Sequence, residues 1–130
     1  MKLALGLGCD RGTPLMTIET AIHKALASAN LAAEQVIKLA SIDKKQDEVA
    51  FAQLAEKLGI VMQFYPAQEL AEVTVPSPSA VVMKYVGTPS VSEAAAILVA
   101  ATDMRDLLVE KYKYRGEDGK NATVSIVKIP

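Results

Sequence analysis

The chain contains too little cysteine and histidine for several kinds of chemistry. Cys9 is its one cysteine, which excludes an internal disulfide and suits a reducing compartment such as the cytoplasm. His23 is its one histidine, so a zinc site of the ordinary type cannot be assembled within a single chain. A Cys–His nucleophilic pair would need His23, but it lies beside the apolar stripe of a predicted helix, which is typical of a solvated surface residue. The residues therefore indicate no resident metal and no cofactor.

The chain also lacks a charge excess and a long apolar run. Fourteen basic and fifteen acidic residues leave a net charge of −1, which gives no reason to expect nucleic acid or a membrane surface as a partner. No apolar run reaches the roughly 18 residues of a membrane span. The apolar stretch before Cys9 is shorter than a secretory signal needs, and Asp10 and Arg11 follow it at once. We therefore predict a cytoplasmic protein.

What the chain does contain is an alternation of strand and helix patterns. Apolar residues make up 51% of its 130 residues, enough for one core, and we expect residues 1–130 to form a single domain. Strand patterns alternate with amphipathic helices, which predicts parallel strands joined by right-handed crossovers. The strands are predicted at Leu3–Cys9, Val36–Ile42 and Ile60–Tyr65, and the helices at about Pro14–Ala29 and Asp47–Leu58, the second with Val49, Ala52, Ala55 and Leu58 on its apolar face.

The second half of the chain has a different character. The segment Ala80–Val86 is ambiguous, because its valines favour a strand while Ser79 and Gly87 beside it resemble helix caps; we favour a short helix. The remaining elements predicted are a short helix at Ala67–Val73, a break at Pro76–Ser79, a helix from Ser90 to about Ala101, and strands at Leu107–Tyr114 and Thr123–Ile129 joined by a turn at Gly116–Gly119. The predicted fold is therefore a three-layer α/β domain with a mixed, largely parallel sheet and a C-terminal antiparallel hairpin.

The tripeptide Gly-Thr-Pro occurs twice, at residues 12–14 and 87–89, each time before a predicted helix. Glycine permits a tight turn, threonine is able to cap the helix, and proline is favoured at the first helical position. Each start would expose N–H groups that attract carboxylates or phosphates. Two anion-binding helix starts are therefore predicted, near Thr13 and Ser90.

The first of these helix starts follows directly on the first predicted strand. In open α/β sheets, ligands bind beyond the carboxyl ends of the strands. The first strand brings Cys9 and Arg11 to that edge, and the second brings Lys45 and Glu48. A pocket for a polyanionic ligand is one interpretation, and ordinary βα turns with solvated charges are the other. The glycines do not match a dinucleotide-binding fingerprint, because Arg11 stands where the third glycine belongs.

Three carboxylates, those of Asp10, Glu48 and Glu93, remain as possible acid–base groups. Glu48 and Glu93 are our candidate catalytic residues, yet each has a structural interpretation as well. Glu93 has capping-box spacing from Ser90, and Glu48 would favour the positive end of the second helix. Cys9 at a strand end near a helix start could carry a reactive thiolate or could be buried and inert.

Three blocks of the chain, in this order and spacing, resemble one known family. They are Gly8-Cys-Asp-Arg-Gly-Thr13, Leu39-Ala-Ser-Ile-Asp-Lys-Lys-Gln-Asp-Glu48 and Gly87-Thr-Pro-Ser-Val-Ser-Glu-Ala-Ala-Ala96. The family is that of the CbiG C-terminal domain and CobE, proteins of cobalamin biosynthesis, and the resemblance covers essentially the whole chain. It implies a precorrin or corrinoid intermediate as ligand. The positions that match the family are Gly8, Cys9, Arg11, Gly12, Lys45, Gly87, Thr88 and Ser90 for binding, and Glu48 and Glu93 for catalysis. The N–H groups at the first helix start add Thr13 to the binding residues.

The resemblance leaves three functions open. CbiG-type proteins open a lactone ring on a cobalt-precorrin and release acetaldehyde, and they carry a further region before the part matched by this chain. The chain begins directly with its first strand, so the stand-alone CobE type is the expectation. A carrier or accessory protein for a corrin intermediate is then favoured over a hydrolase. The third possibility is an interaction module for other enzymes of the cobalamin pathway.

Overall fold

A computed structural model of the chain describes residues 1–75 and 91–130, in which five strands form one mixed sheet. The sheet order is β3-β2-β1-β5-β4. The first three strands are parallel, whereas β5 runs antiparallel to both β1 and β4. This confirms the predicted mixed sheet and hairpin. The strands are β1 (Lys2–Cys9), β2 (Val36–Ile42), β3 (Met62–Tyr65), β4 (Leu107–Arg115) and β5 (Asn121–Ile129).

Four α-helices connect and cover these strands within the described residues. Three short 3₁₀ turns precede β2, follow β2 and precede β4, at Ala33–Gln35, Asp43–Lys45 and Met104–Asp106. The predictions for Pro76–Ser79 and Ala80–Val86 lie outside the described residues. The helices are α1 (Leu15–Ser28), α2 (Val49–Leu58), α3 (Ala67–Ala71) and α4 (Val91–Ala100).

The two faces of β1 pack against different helices. Alternate side chains of a strand point to opposite faces, so Leu3, Leu5 and Leu7 lie in one core with α1 and α2. Ala4 lies in the second core, which contains α3 and α4. The structure is therefore the predicted three-layer arrangement, with α1 and α2 on one face of the sheet and α3 and α4 on the other.

Helix α4 lies close to β1 and runs antiparallel to it. A Cβ atom on Gly6 would come within 1.8 Å of the backbone oxygen of Ser92, so only glycine permits this approach. Farther along α4, the carbonyl of Val99 accepts a hydrogen bond from Lys38, which pairs with Ala4 nearer the start of β1. The start of α4 is therefore directed towards the carboxyl end of β1, where α1 also begins.

The predicted apolar face of α2 is wrong for three of its four members, since only Ala55 packs against the core. Val49 is 71% exposed and Leu58 is 43% exposed, whereas Phe51 and Leu54 are buried. Apolar residues occupy nearly every side of this helix, so their spacing alone does not select the buried row. The core takes the Phe51 and Leu54 side chains, each of which carries more apolar surface than either alanine of the predicted row, Ala52 or Ala55. The helix itself begins at Val49 rather than Asp47.

Candidate functional site

The loop between β1 and α1, residues 10–14, is held by contacts from two sides of the molecule; we call it the rim loop. On one side Glu48, the residue that precedes α2, lies 5% exposed beneath it. Its two carboxylate oxygens accept hydrogen bonds from the backbone N–H of Gly12, at 3.0 and 3.2 Å. Gly12 has a φ of +77°, a conformation that favours glycine. Glu48 therefore fixes the turn by which the chain leaves β1.

Arg11 in the rim loop contacts the start of α2 as well. Its Nη1 lies 2.6 Å from Asp47 Oδ1 and 3.4 Å from Glu48 Oε1, and its Nη2 donates to the carbonyl of Lys44 at 2.9 Å. The hydrogen bond from Arg11 lowers the pKa of the Asp47 carboxyl below its usual value. The guanidinium is therefore already paired with carboxylates of its own chain, although its side chain remains 58% exposed.

On the other side, the C-terminal hairpin holds the rim loop. The carboxylate of Asp10 accepts hydrogen bonds from the backbone N–H and side-chain amide of Asn121, at 2.8 and 3.0 Å. The Nζ of Lys120 donates to the carbonyl of Arg11 at 3.1 Å. The sequence analysis did not identify Asp47, Lys120 and Asn121 as residues that hold this loop. Lys120 and Asn121 lie more than a hundred residues beyond it and reach it only because β5 pairs with β1.

Cys9 lies at the end of β1, half-buried beneath the rim loop. Burial raises the pKa of its thiol to about 11, and the charge of Glu48 adds to this, while the nearby Lys45 ammonium acts in the opposite direction. The Sγ lies 4.0 Å from Glu48 Oε2. The thiol is therefore protonated at neutral pH, which matches the inert alternative rather than the thiolate.

Thr13 does not cap α1, contrary to the prediction. Its hydroxyl donates instead to the carbonyl of Asp10 at 2.6 Å and closes the rim loop on itself. Pro14 takes the capping position, with a ψ of 153° that places it before the first helical residue. Proline has no N–H and a fixed φ, so it serves equally well just outside the helix. His23 is exposed on α1, as predicted.

Glu93 lies apart from Glu48. It is fully buried in the first turn of α4, and its Oε1 lies 3.6 Å from the Nζ of Lys111 on β4. The two candidate catalytic carboxylates are therefore on opposite faces of the sheet, one with α2 and one with α4. Glu48 contacts the loop that follows β1, whereas Glu93 comes directly after Ser92, whose backbone oxygen approaches Gly6 in the middle of β1.

The remaining predicted site residues divide into two groups. Lys45 is half-buried in the 3₁₀ turn after β2, and Gly8 lies in β1, where an added Cβ would meet its nearest atom, Thr123 Cβ, at 3.8 Å. Gly87, Thr88 and Ser90 lie outside the described residues, so their predicted part in the site stays a prediction.

In ranges 1–75 and 91–130, no cluster of three or more metal-binding side chains occurs. None of the helices in those same ranges is long and apolar enough to cross a membrane.

Comparison with known proteins agrees with the resemblance read from the residues. A family model described as the C-terminus of cobalamin synthesis protein G matches residues 3–127. The chain is 38% identical over 128 residues to a cobalt-precorrin-5A hydrolase of Priestia megaterium, a match that covers 98% of this chain and 32% of the relative. It is 37% identical over 111 residues to the CobE protein of a Sinorhizobium species, covering 84% and 71% of the two chains.

Solved structures show the same relationship. The crystal structure of CobE, a protein of the cobalamin pathway, superposes with a TM-score of 0.78 at 31% identity and covers 99% of this chain and 92% of that one. A cobalamin biosynthesis protein of Agrobacterium tumefaciens superposes with a TM-score of 0.66 at 26% identity, covering 95% of each chain. The chain therefore belongs to the CbiG C-terminal and CobE family of cobalamin biosynthesis proteins, and it spans about a third of the length of the Priestia hydrolase that it matches.

Proposed function

We propose that this protein is a single-domain, cytoplasmic carrier or accessory protein that binds a polycarboxylated precorrin or corrinoid intermediate. The observation that carries the proposal is the convergence of cationic side chains from three separate segments around the rim loop. Arg11 lies in the loop, Lys45 follows β2 and lies close enough to Cys9 for its charge to act on the thiol, and Lys120 ends the hairpin turn. Corrin precursors carry several acetate and propionate groups, which such a site is suited to bind.

Backbone N–H groups add to this anion site. The first N–H groups of a helix have no partner within the helix and favour negative charge. Helix α1 begins directly after the rim loop, and α4 is directed towards the same end of β1. We propose that Gly8, Gly12, Thr13 and the segment containing Gly87, Thr88 and Ser90 surround ligand carboxylates there, with Cys9 beneath the loop.

Absorbance titration tests the proposal. The protein is titrated with hydrogenobyrinic acid, a cobalt-free corrin polycarboxylic acid, and the mixture is passed over a gel-filtration column. A shift of the corrin bands and co-elution at micromolar protein are expected, with weaker binding by Lys45→Met. Lys128→Met is the matched control, because Lys128 is exposed near the opposite end of β1, where it pairs with Leu3. Absence of both the spectral shift and co-elution overturns the proposal.

A hydrolase is the second candidate function, favoured by the identity to the Priestia megaterium relative over almost all of this chain. In that function Glu48 or Glu93 would activate the water that opens a lactone on a cobalt-precorrin. Both oxygens of Glu48 already accept the Gly12 N–H, which supports a positioning function for this carboxylate. Release of acetaldehyde from the lactone substrate, lost in Glu48→Gln or Glu93→Gln, would favour the hydrolase; full complementation of a deletion strain by both variants contradicts catalysis by these residues.

A further inference from the structure

The positive charge of Arg11 is already matched within the chain. Its guanidinium contacts the carboxylates of Asp47 and Glu48 at 2.6 and 3.4 Å, and its second terminal nitrogen donates to the carbonyl of Lys44. A ligand carboxylate would have to compete with Asp47 for the same donors. The geometry is that of a side chain that fastens the rim loop to the start of α2.

Lys120 is placed differently on the other side of the loop. Its Nζ lies 3.1 Å from the carbonyl oxygen of Arg11 and 3.9 Å from the position that a Cβ would take on Gly12. The ammonium therefore lies beside the loop backbone, at the carboxyl end of β1. The side chain is half-buried, so part of its conformational freedom is already lost before any ligand binds.

The ammonium of Lys120 retains capacity for an anion. It has three N–H donors, of which the Arg11 carbonyl accepts one. Within residues 1–75 and 91–130, the ion pairs with N–O distances up to 4.0 Å do not include Lys120. A cation held against a backbone loop without a carboxylate at that distance is suited to bind an incoming carboxylate.

We propose that Lys120 supplies a cationic contact for a ligand carboxylate at the rim loop, and that Arg11 is a positioning residue that fixes the loop. This inference rests on the proposed function. It adds a binding residue from the C-terminal hairpin to a site that the sequence assigns to the two βα loops. The hairpin then contributes to ligand affinity as well as to the sheet.

A purely structural function of Lys120 makes a different prediction. If its hydrogen bond to Arg11 only ties the hairpin to the loop, its removal changes stability and leaves the salt dependence of binding unaltered. A direct contact between opposite charges is weakened by salt, because dissolved ions screen it. The slope of the dissociation constant against salt concentration therefore distinguishes the two functions.

The test is titration of the full chain with hydrogenobyrinic acid at low and high salt. We expect Lys120→Met to weaken binding by about tenfold at low salt, the scale of one charge-assisted hydrogen bond, and to reduce the salt dependence. Lys120→Arg should bind nearly as the wild type does. Lys128→Met, which removes the same charge from the opposite end of β5, should leave the dissociation constant unchanged.

The outcomes separate this inference from the function on which it rests. Wild-type binding with unchanged affinity of Lys120→Met overturns the inference and leaves the proposed function standing. Weaker binding with an unaltered salt slope overturns it as well, since that result is the structural function. A wild-type protein that does not bind the corrin overturns both. Circular dichroism of Lys120→Met and of a second variant, Lys120→Gln, verifies that both remain folded.

Discussion

The carboxylate of Glu48 accepts the backbone N–H of Gly12 with both of its oxygens, at 3.0 and 3.2 Å, across 36 residues of sequence. This relationship joins the loop after β1 to the start of α2. The Glu48 carboxylate stabilises the loop conformation, because Gly12 has a positive φ and no side chain that could make a stabilising contact of its own. A ligand that binds at the carboxyl end of β1 would therefore contact a rim loop whose conformation is already fixed by Glu48.

Removal of this contact is expected to destabilise the fold. Glu48→Ala should lower the free energy of unfolding by about 1–2 kcal/mol, because a nearly buried acceptor of a backbone N–H is lost. Glu48→Gln retains one acceptor oxygen and should lose less. Urea unfolding measures both changes. Glu56→Ala, at an exposed position of the helix that Glu48 precedes, is the control and should stay within about 0.5 kcal/mol of the wild type. Equal stability of Glu48→Ala and Glu56→Ala would contradict this function of Glu48.

The thiol of Cys9 should react slowly. Burial raises its pKa from 9.0 to about 11, so at pH 8 only a very small fraction is thiolate, the form that attacks iodoacetamide. Mass spectrometry of the Cys9 peptide should show alkylation accelerating up to about pH 11, with much faster reaction at pH 8 once the chain is unfolded in urea. Rapid alkylation of the folded protein at pH 8 would contradict this.

The same shift makes stability depend on pH. Because the pKa of Cys9 is higher in the folded protein than in the unfolded chain, the contribution of this thiol to the free energy of unfolding is full below pH 9 and is lost between about pH 9 and 11.

The space available for a side chain differs between Gly6 and Gly8 of β1. Gly6→Ala should destabilise the protein by about 3 kcal/mol, since its Cβ would come within 1.8 Å of Ser92 O and 2.8 Å of Ala96 N, both backbone atoms of α4. Gly8→Ala is the matched control, because the nearest atom to its Cβ lies 3.8 Å away. Thermal unfolding followed by circular dichroism compares the two variants. Similar melting temperatures for both would show that α4 is able to move away from β1 at little cost.

Local sequence patterns predict the secondary structure of this fold better than they predict its candidate site. The alternation of strand and helix gives the bounds of β2 as the structure has them, because apolar runs and turn residues act locally. The residues that complete the site are not predicted by such local patterns. Lys120 and Asn121 reach the rim loop because β5 pairs with β1, and a hairpin pattern does not indicate which strand its second member will join.

The ion pair between Glu93 and Lys111 crosses from α4 to β4 inside the second core. Lys111→Met should lower the free energy of unfolding by about 3 kcal/mol, because removal of the cation at 3.6 Å leaves a fully buried carboxylate with less compensation. Lys113→Met, at an exposed position of the same strand, removes an equal charge and should have little effect. Chemical denaturation of the two variants makes the comparison. A loss below about 1 kcal/mol for Lys111→Met would show that this ion pair contributes little to the stability of the fold.

Asp47 is expected to weaken ligand binding, because its carboxylate, 2.6 Å from the Arg11 guanidinium, adds negative charge beside the rim loop. The pair is exposed, so Asp47→Asn should change stability little, as is usual for surface ion pairs. It removes a negative charge from a rim that we propose binds carboxylates. We therefore expect Asp47→Asn to bind hydrogenobyrinic acid severalfold more tightly than the wild type at low salt, with the difference shrinking as salt screens the charges. Asp106→Asn, which removes one negative charge at the 3₁₀ turn before β4, is the control and should leave the affinity unchanged. If Asp47→Asn binds more weakly instead, the Arg11–Asp47 pair supports the bound form of the loop, and the repulsion between Asp47 and the ligand is the smaller effect.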